Sequence, residues 1–281
     1  MNTLKSFPLI VLLLYLSSFA FCQSFVTQSI PGDGSSSIQF RYLRLFDSNF
    51  ESSFNGIYDL NANVVLGKRW IIGSSFSYVK SSFINERLLR FYDRIGSGVN
   101  LNNDMLGNIG LSAGYLIGKN KNSAFRLSLF FPAYSKYSTE FLPSIDYSSR
   151  VNNYEIARYN PFSYNLTSNY SWKLRNESNW LLAGEAGTLT FFDNVEQEGS
   201  FYLNFALKFG YKFKTFTSFS EMGMLAQVFD PVVNDSRYFI NAGLQVTTNN
   251  LQPGLFLMHN GSGLGGLSIG FKLDYRFLKE E

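Results

Sequence analysis

Residues 267–277 read Leu-Ser-Ile-Gly-Phe-Lys-Leu-Asp-Tyr-Arg-Phe, with Leu267, Ile269, Phe271, Leu273, Tyr275 and Phe277 on one parity and Ser268, Gly270, Lys272, Asp274 and Arg276 on the other. A strand sends successive side chains to opposite faces, so this ribbon has one apolar, aromatic face and one face carrying a Lys, an Asp and an Arg. It must separate two environments. In a soluble sandwich the charged face meets water and the apolar face a core. In a transmembrane barrel the apolar face meets lipid and the charged face an enclosed lumen.

The rest of the chain repeats the pattern. Period-two stretches are read near residues 38–46, 57–66, 70–79, 107–117, 124–134, 162–173, 180–192, 201–212, 217–228, 238–247 and a short 253–259 before the last strand. Their length matches the roughly 9–11 residues a tilted strand needs to cross a bilayer. The connections alternate in character. Gly67–Arg69, Lys119–Ser123, Arg175–Ser178, Phe213–Thr215 and Thr248–Gln252 are short, whereas Lys80–Asp104 and Ser135–Pro161 are long. Short turns at one end and long loops at the other, with both termini at the short end, mark a bacterial outer-membrane barrel. The expected fold is therefore all-β: a transmembrane up-and-down antiparallel β-barrel of about 12 strands, closed so that no edge meets lipid.

The N-terminus gives the address. Lys5 precedes an almost unbroken apolar run, Leu9–Leu16, and Ala20-Phe21-Cys22 precedes Gln23. This predicts a signal peptide over 1–22, a periplasmic N-terminal segment over 23–37 and an outer-membrane β-barrel over 38–281. A lipoprotein acylated on Cys22 is the rival reading, opposed by the bulk of Phe21 where a small residue is expected. Cys22 is the single cysteine, so a mature chain lacks both a disulfide framework and a thiolate metal site, and no cofactor is expected. Charged residues make up 16% of the chain and aromatic ones 17%. Soluble domains carry about 25% charged residues. A net charge of +3 is too small and too dispersed for nucleic acid.

Parity assigns the lumen lining to Arg41, Asp59, Asn61, Asn63, Arg126, Asn165, Asn169, Lys173, Glu185, Asn204, Lys208, Lys212, Glu221, Asn241, Gln245, Lys272, Asp274 and Arg276. Two readings stand beside each other: a polar path for a solute, or charges that pair and fill a narrow barrel. Barrels near eight strands are packed and those of sixteen or more hold water, so about twelve decides neither. Helical spacing between Phe83 and Ile95 suggests an amphipathic helix over the mouth, with a loop packed on its neighbours as the plainer reading. His259, the one histidine, stands near Ser262, but no orienting acid lies nearby, and a rim histidine without catalytic role is expected.

Several stretches also carry a family likeness. Leu106-Gly107-Asn108, Ser128-Leu129-Phe130-Phe131-Pro132, Asn241-Ala242-Gly243-Leu244, Leu255-Phe256-Leu257 and the closing Gly270–Phe277 resemble the outer-membrane transporters associated with phenol-degradation operons. The resemblance implies a channel admitting small, often hydrophobic molecules. The chain departs from the usual aromatic end of such barrels, since Leu278-Lys279-Glu280-Glu281 follow Phe277. The expected function is a channel or transporter for small molecules, hydrophobic ones included, and not an enzyme. The alternatives are a non-transporting barrel scaffold of a cell-surface or secretion assembly and, on His259 alone, a lipid-acting enzyme. Expected partners are outer-membrane lipid, a small-molecule solute and the barrel-assembly machinery acting through the C-terminal strand.

Overall fold

The computed structural model describes residues 36–46, 55–82, 102–118, 121–134, 142–152, 155–175, 179–193, 199–229, 236–247, 250–261 and 266–277. The strands are β1 (Ser36–Leu45), β2 (Gly56–Leu66), β3 (Trp70–Ser82), β4 (Asn102–Leu106), β5 (Ile109–Ile117), β6 (Ser123–Phe131), β7 (Ser163–Arg175), β8 (Trp180–Asp193), β9 (Gly199–Lys212), β10 (Phe216–Phe229), β11 (Arg237–Val246), β12 (Leu251–Gly261) and β13 (Leu267–Phe277). Two helices, α1 (Leu142–Val151) and α2 (Ile156–Tyr159), lie between β6 and β7.

Every pairing is antiparallel, and β1 pairs with β13 over ten positions from Ser36↔Phe277 to Leu45↔Ser268. With β2 also paired to β3, the sheet closes on itself. β4 and β5 both run along β3, β4 against Tyr78–Ser82 and β5 against Trp70–Ser75, so together they are one wall strand broken at Gly107-Asn108. The result is a closed barrel of 12 strands. Gly67, at φ +60, gives the tight β2–β3 turn the left-handed backbone that a side chain disfavours.

Alternation decides which face is which. Leu255 and Leu257 are 60% and 50% exposed, whereas Phe256 between them is 2% exposed. The same holds at Ile240, Leu244, Leu203, Phe205, Leu127 and Leu129, all exposed on the outer wall. A soluble sandwich would bury these side chains against one another. Here they form an apolar outer belt on strands that pair with their neighbours all the way round, as a lipid-spanning barrel requires. Among the described residues no helix is long and apolar enough to cross a membrane.

Several sequence-based bounds shift. β3 runs to Ser82 and β4 starts at Asn102, so the connection expected over 80–104 is shorter at both ends. Its expected amphipathic helix lies outside the described residues. The strand expected over 107–117 begins instead at Asn102 and is interrupted. The eleventh is not short but spans Leu251–Gly261, and β1 already includes Ser36 and Ser37.

Candidate functional site

The lumen is filled from the long-loop end by the chain between β6 and β7. Tyr134 N–H donates to Pro161 O at 3.1 Å, so this segment leaves and rejoins the wall at one place. Between those points α1 and α2 sit inside the barrel. Asn152 N–H closes α1 onto Ser148 O at 2.9 Å, and the Asn152 amide oxygen accepts from Glu155 N–H at 3.4 Å. Asn152 thus ends one helix and supports the entry to the next, as short polar side chains do at helix ends.

Wall and plug are joined on several sides. The broken wall strand turns Asn108 inward: its N–H donates to Arg158 O at 2.7 Å, and its amide donates to Ala157 O at 2.9 Å and Ser163 O at 3.1 Å. The Asn165 amide donates to Ala157 O as well, at 3.0 Å. A Cβ on Gly107 would stand 2.6 Å from Arg158 O, so only glycine admits this approach. Across the lumen, Ser268 Oγ donates to Val151 O at 3.3 Å, and the Asn260 amide donates to the same oxygen. The Ser81 and Ser144 hydroxyls meet at 2.9 Å.

The centre of the contact is ionic. Arg41 Nε donates to Asp59 Oδ2 at 2.8 Å, and its guanidinium also pairs with Glu155 of the plug. Arg158 binds Glu155 at 3.0 Å and donates to Asn61 Oδ1 at 2.6 Å. Tyr159 accepts from Arg41 at 3.1 Å and donates to Asp59 at 3.2 Å, while Ser77 Oγ donates to the second Asp59 oxygen at 2.6 Å. Two arginines thus face two carboxylates, all buried, with wall and plug each giving one of each sign. Burial, with Asp59 and Glu155 adding to it, pushes the Tyr159 phenol well up from its ordinary value, and burial does the same for Tyr147. Both stay neutral hydrogen-bonding groups.

Of the residues assigned to the lumen by parity, Arg41, Asp59, Asn61, Asn165, Asn169, Glu185, Asn204, Lys208, Glu221, Asn241, Gln245, Lys272 and Asp274 are buried inside. They form local groups. Lys208 pairs with Glu221 at 3.3 Å, and Asn241 donates to Glu221 at 2.8 Å. Lys272 pairs with Asp274 at 2.8 Å, and Gln39 and Gln245 both donate to Asp274. Asn169 donates to Glu185 at 3.1 Å and accepts from Asn204 at 2.9 Å. Arg126 and Asn63, half-buried, meet at 3.0 Å. Lys212 keeps the inward parity, opposite the buried Thr217, and is exposed at the short-turn rim where the wall ends. Arg276 is half-buried near the same rim, and the Lys173 side chain is outside the described residues.

The inward parity is not polar throughout. Leu43, Ile57, Val79, Met105, Phe130, Leu189, Phe239 and Met258 also point inside, in the half of the barrel toward the long loops, and pack with Tyr147, Val151 and Ala157 of the plug. Toward the long loops the lumen therefore carries an apolar lining that the plug covers, interspersed with Ser81, Asn165, Asn260 and Ser268, while Ile71, Leu116 and Ala124 form a second, smaller apolar cluster inside near the short turns. A cavity of about 40 Å³ lies beneath α2, lined among others by Arg158, Thr167, Asn169, Glu185 and Asn204. His259 points outward on β12, opposite Ile240 and Leu267, and Ser262 is outside the described residues.

No protein-family model matches the chain, and no curated protein matches it in sequence. Among solved structures it is similar to the KdgM porin in complex with disordered oligogalacturonate, at TM-score 0.51 and 10% identity over 86% of this chain and 99% of that one. It is similar also to LpxR from Salmonella typhimurium, at TM-score 0.50 and 10% identity over 86% of this chain and 100% of that one. The likeness lies in the fold, that of bacterial outer-membrane β-barrels, and the outer membrane is this protein's location.

Proposed function

We propose that the protein is an outer-membrane channel for small, hydrophobic solutes whose bore is held shut by the segment carrying α1 and α2. The observation that carries this reading is the apolar lining that the plug covers in the lumen toward the long loops. Leu43, Ile57, Val79, Met105, Phe130, Leu189, Phe239 and Met258 of the wall pack against a plug that belongs to a loop rather than to the wall. Moving the plug uncovers apolar surface at a cost of about 25 cal/mol per Å². An apolar solute offsets that cost by taking the plug's place, and a sugar or an ion does not. The resemblance to phenol-degradation-associated transporters points the same way, and the porin-like fold is compatible with it.

Influx into proteoliposomes tests the proposal. Small aromatic solutes are expected to enter faster through the protein than sugars of similar size, and equal or absent influx of both overturns the solute class. A second reading, a barrel that carries nothing and serves as a scaffold, is favoured by the paired lumenal charges and the small residual cavity. It predicts no influx even after the plug is removed. His259 stands on the outer wall between Ile240 and Leu267, away from the bore, and the proposed transport gives it no part. Accordingly, His259→Ala is expected to leave solute influx unchanged.

A further inference from the structure

We infer that the short-turn rim carries two sites for the phosphates of anionic phospholipids, at diametrically opposite points of the barrel. The first lies at the β2–β3 turn, where Lys68 and Arg69 are exposed. The second lies at the β9–β10 turn, where Lys214 is exposed and Lys212, on the inward parity opposite Thr217, is exposed beyond the end of the wall. Six wall strands separate the two turns in either direction round the barrel. Among the described residues of this rim the one carboxylate is Asp274, buried in the lumen and paired with Lys272, so nothing described there cancels the positive charge.

Each basic pair adjoins an outward-facing aromatic cluster. The Arg69 guanidinium lies 5.9 Å from the Tyr115 ring centre and 3.5 Å from its hydroxyl, and Tyr115 packs edge-on against Trp70 at 5.0 Å. Tyr115 and Trp70 are both on the outer wall, so Arg69 leans toward the lipid side of the rim and away from the bore. At the opposite turn Trp180 packs against Tyr211 at 5.3 Å, Tyr211 against Phe213 at 5.1 Å, and Phe213 stacks on Phe216 at 4.4 Å. Aromatic rings of this kind settle at the boundary between acyl chains and head groups. The four cations, one step beyond the rings, then stand at the level of lipid phosphates. Short turns face the periplasm in such barrels, which places both sites at the inner leaflet. The turns are fixed in place, since Leu116 N–H donates to Arg69 O at 2.8 Å and Lys212 N–H donates to Asn179 O at 2.9 Å. Ordered cations beside an apolar shelf hold a head group and its chains together, which a bare charge in a mobile loop does not.

The test is native mass spectrometry of the full-length protein in mixed micelles of phosphatidylglycerol and phosphatidylcholine. Retention of phosphatidylglycerol over phosphatidylcholine is expected, with up to two molecules bound, and weakening of roughly fivefold for each cation removed. The variants Lys68→Gln/Arg69→Gln and Lys212→Gln/Lys214→Gln should each lose one site, and the fourfold variant both. Gel mobility of the unboiled barrel shows that each variant folds. An unchanged phosphatidylglycerol preference in the folded fourfold variant overturns the inference. So does the absence of any preference in the unaltered protein, including the case in which an acidic protein binds the rim instead.

Discussion

Arg41 is the side chain on which the docking of the plug turns. It is 1% exposed and bridges Asp59 of the wall to Glu155 of the plug, so its removal leaves two carboxylates buried around an empty place. Breaking a buried pair by deleting one partner costs about 3–5 kcal/mol. Arg41→Met is expected to lower stability by that order, read as a shift in the urea midpoint of the folded barrel. Glu155→Gln keeps the Arg41–Asp59 pair and removes the charge that binds the plug, so it should loosen the plug while sparing the wall. Protease cleavage within 142–159, with the barrel itself resistant, measures that difference. Asn108→Ala removes one of the two amide donors to each of the Ala157 and Ser163 carbonyls, which keep Asn165, and such hydrogen bonds contribute about 0.5–1.5 kcal/mol each. A smaller shift of the urea midpoint than for Arg41→Met is expected.

At the scale of elements, the wall was legible because lipid on one side and polar groups on the other enforce period two. β9 shows it clearly, with Leu203, Phe205 and Leu207 outside and Asn204 and Lys208 inside. The plug was not legible, because nothing in a short helix such as Ile156–Tyr159 distinguishes a loop folded inward from one folded over the mouth. A signal for the apolar lining beneath the long loops did exist. Where strands approach the long loops the alternation is replaced by apolar pairs, as at Leu129-Phe130-Phe131, Phe191-Phe192, Tyr238-Phe239-Ile240 and Leu257-Met258. A wall apolar on both faces needs something apolar inside. The break at Gly107-Asn108 is likewise visible only once α2 is seen against it. The plug's docking can be fixed chemically, since Cys22 is the chain's single cysteine. Ser81→Cys/Ser144→Cys places two thiols where hydroxyls now stand 2.9 Å apart. The disulfide is expected to form on mild oxidation and to abolish solute influx, which reduction restores.

For the whole molecule, the closed sheet and its apolar belt give the membrane address, and the proposed function rests on the plugged lumen. A barrel of 12 strands is wide enough to need filling, and here the filling is a loop segment carrying charges that match the wall. A permanently filled barrel would gain as much from wall side chains alone. The plug is joined to the wall through one ionic centre, a few hydrogen bonds and an apolar contact, and in the proposed function it leaves as a unit. The measurement that tests this most directly is single-channel conductance in planar bilayers, comparing the unaltered protein with one in which residues 142–159 are replaced by a Gly-Ser linker. A shut or rarely opening unaltered barrel and a steadily open variant are the predicted result. A variant that folds as a barrel yet passes no current would contradict the account.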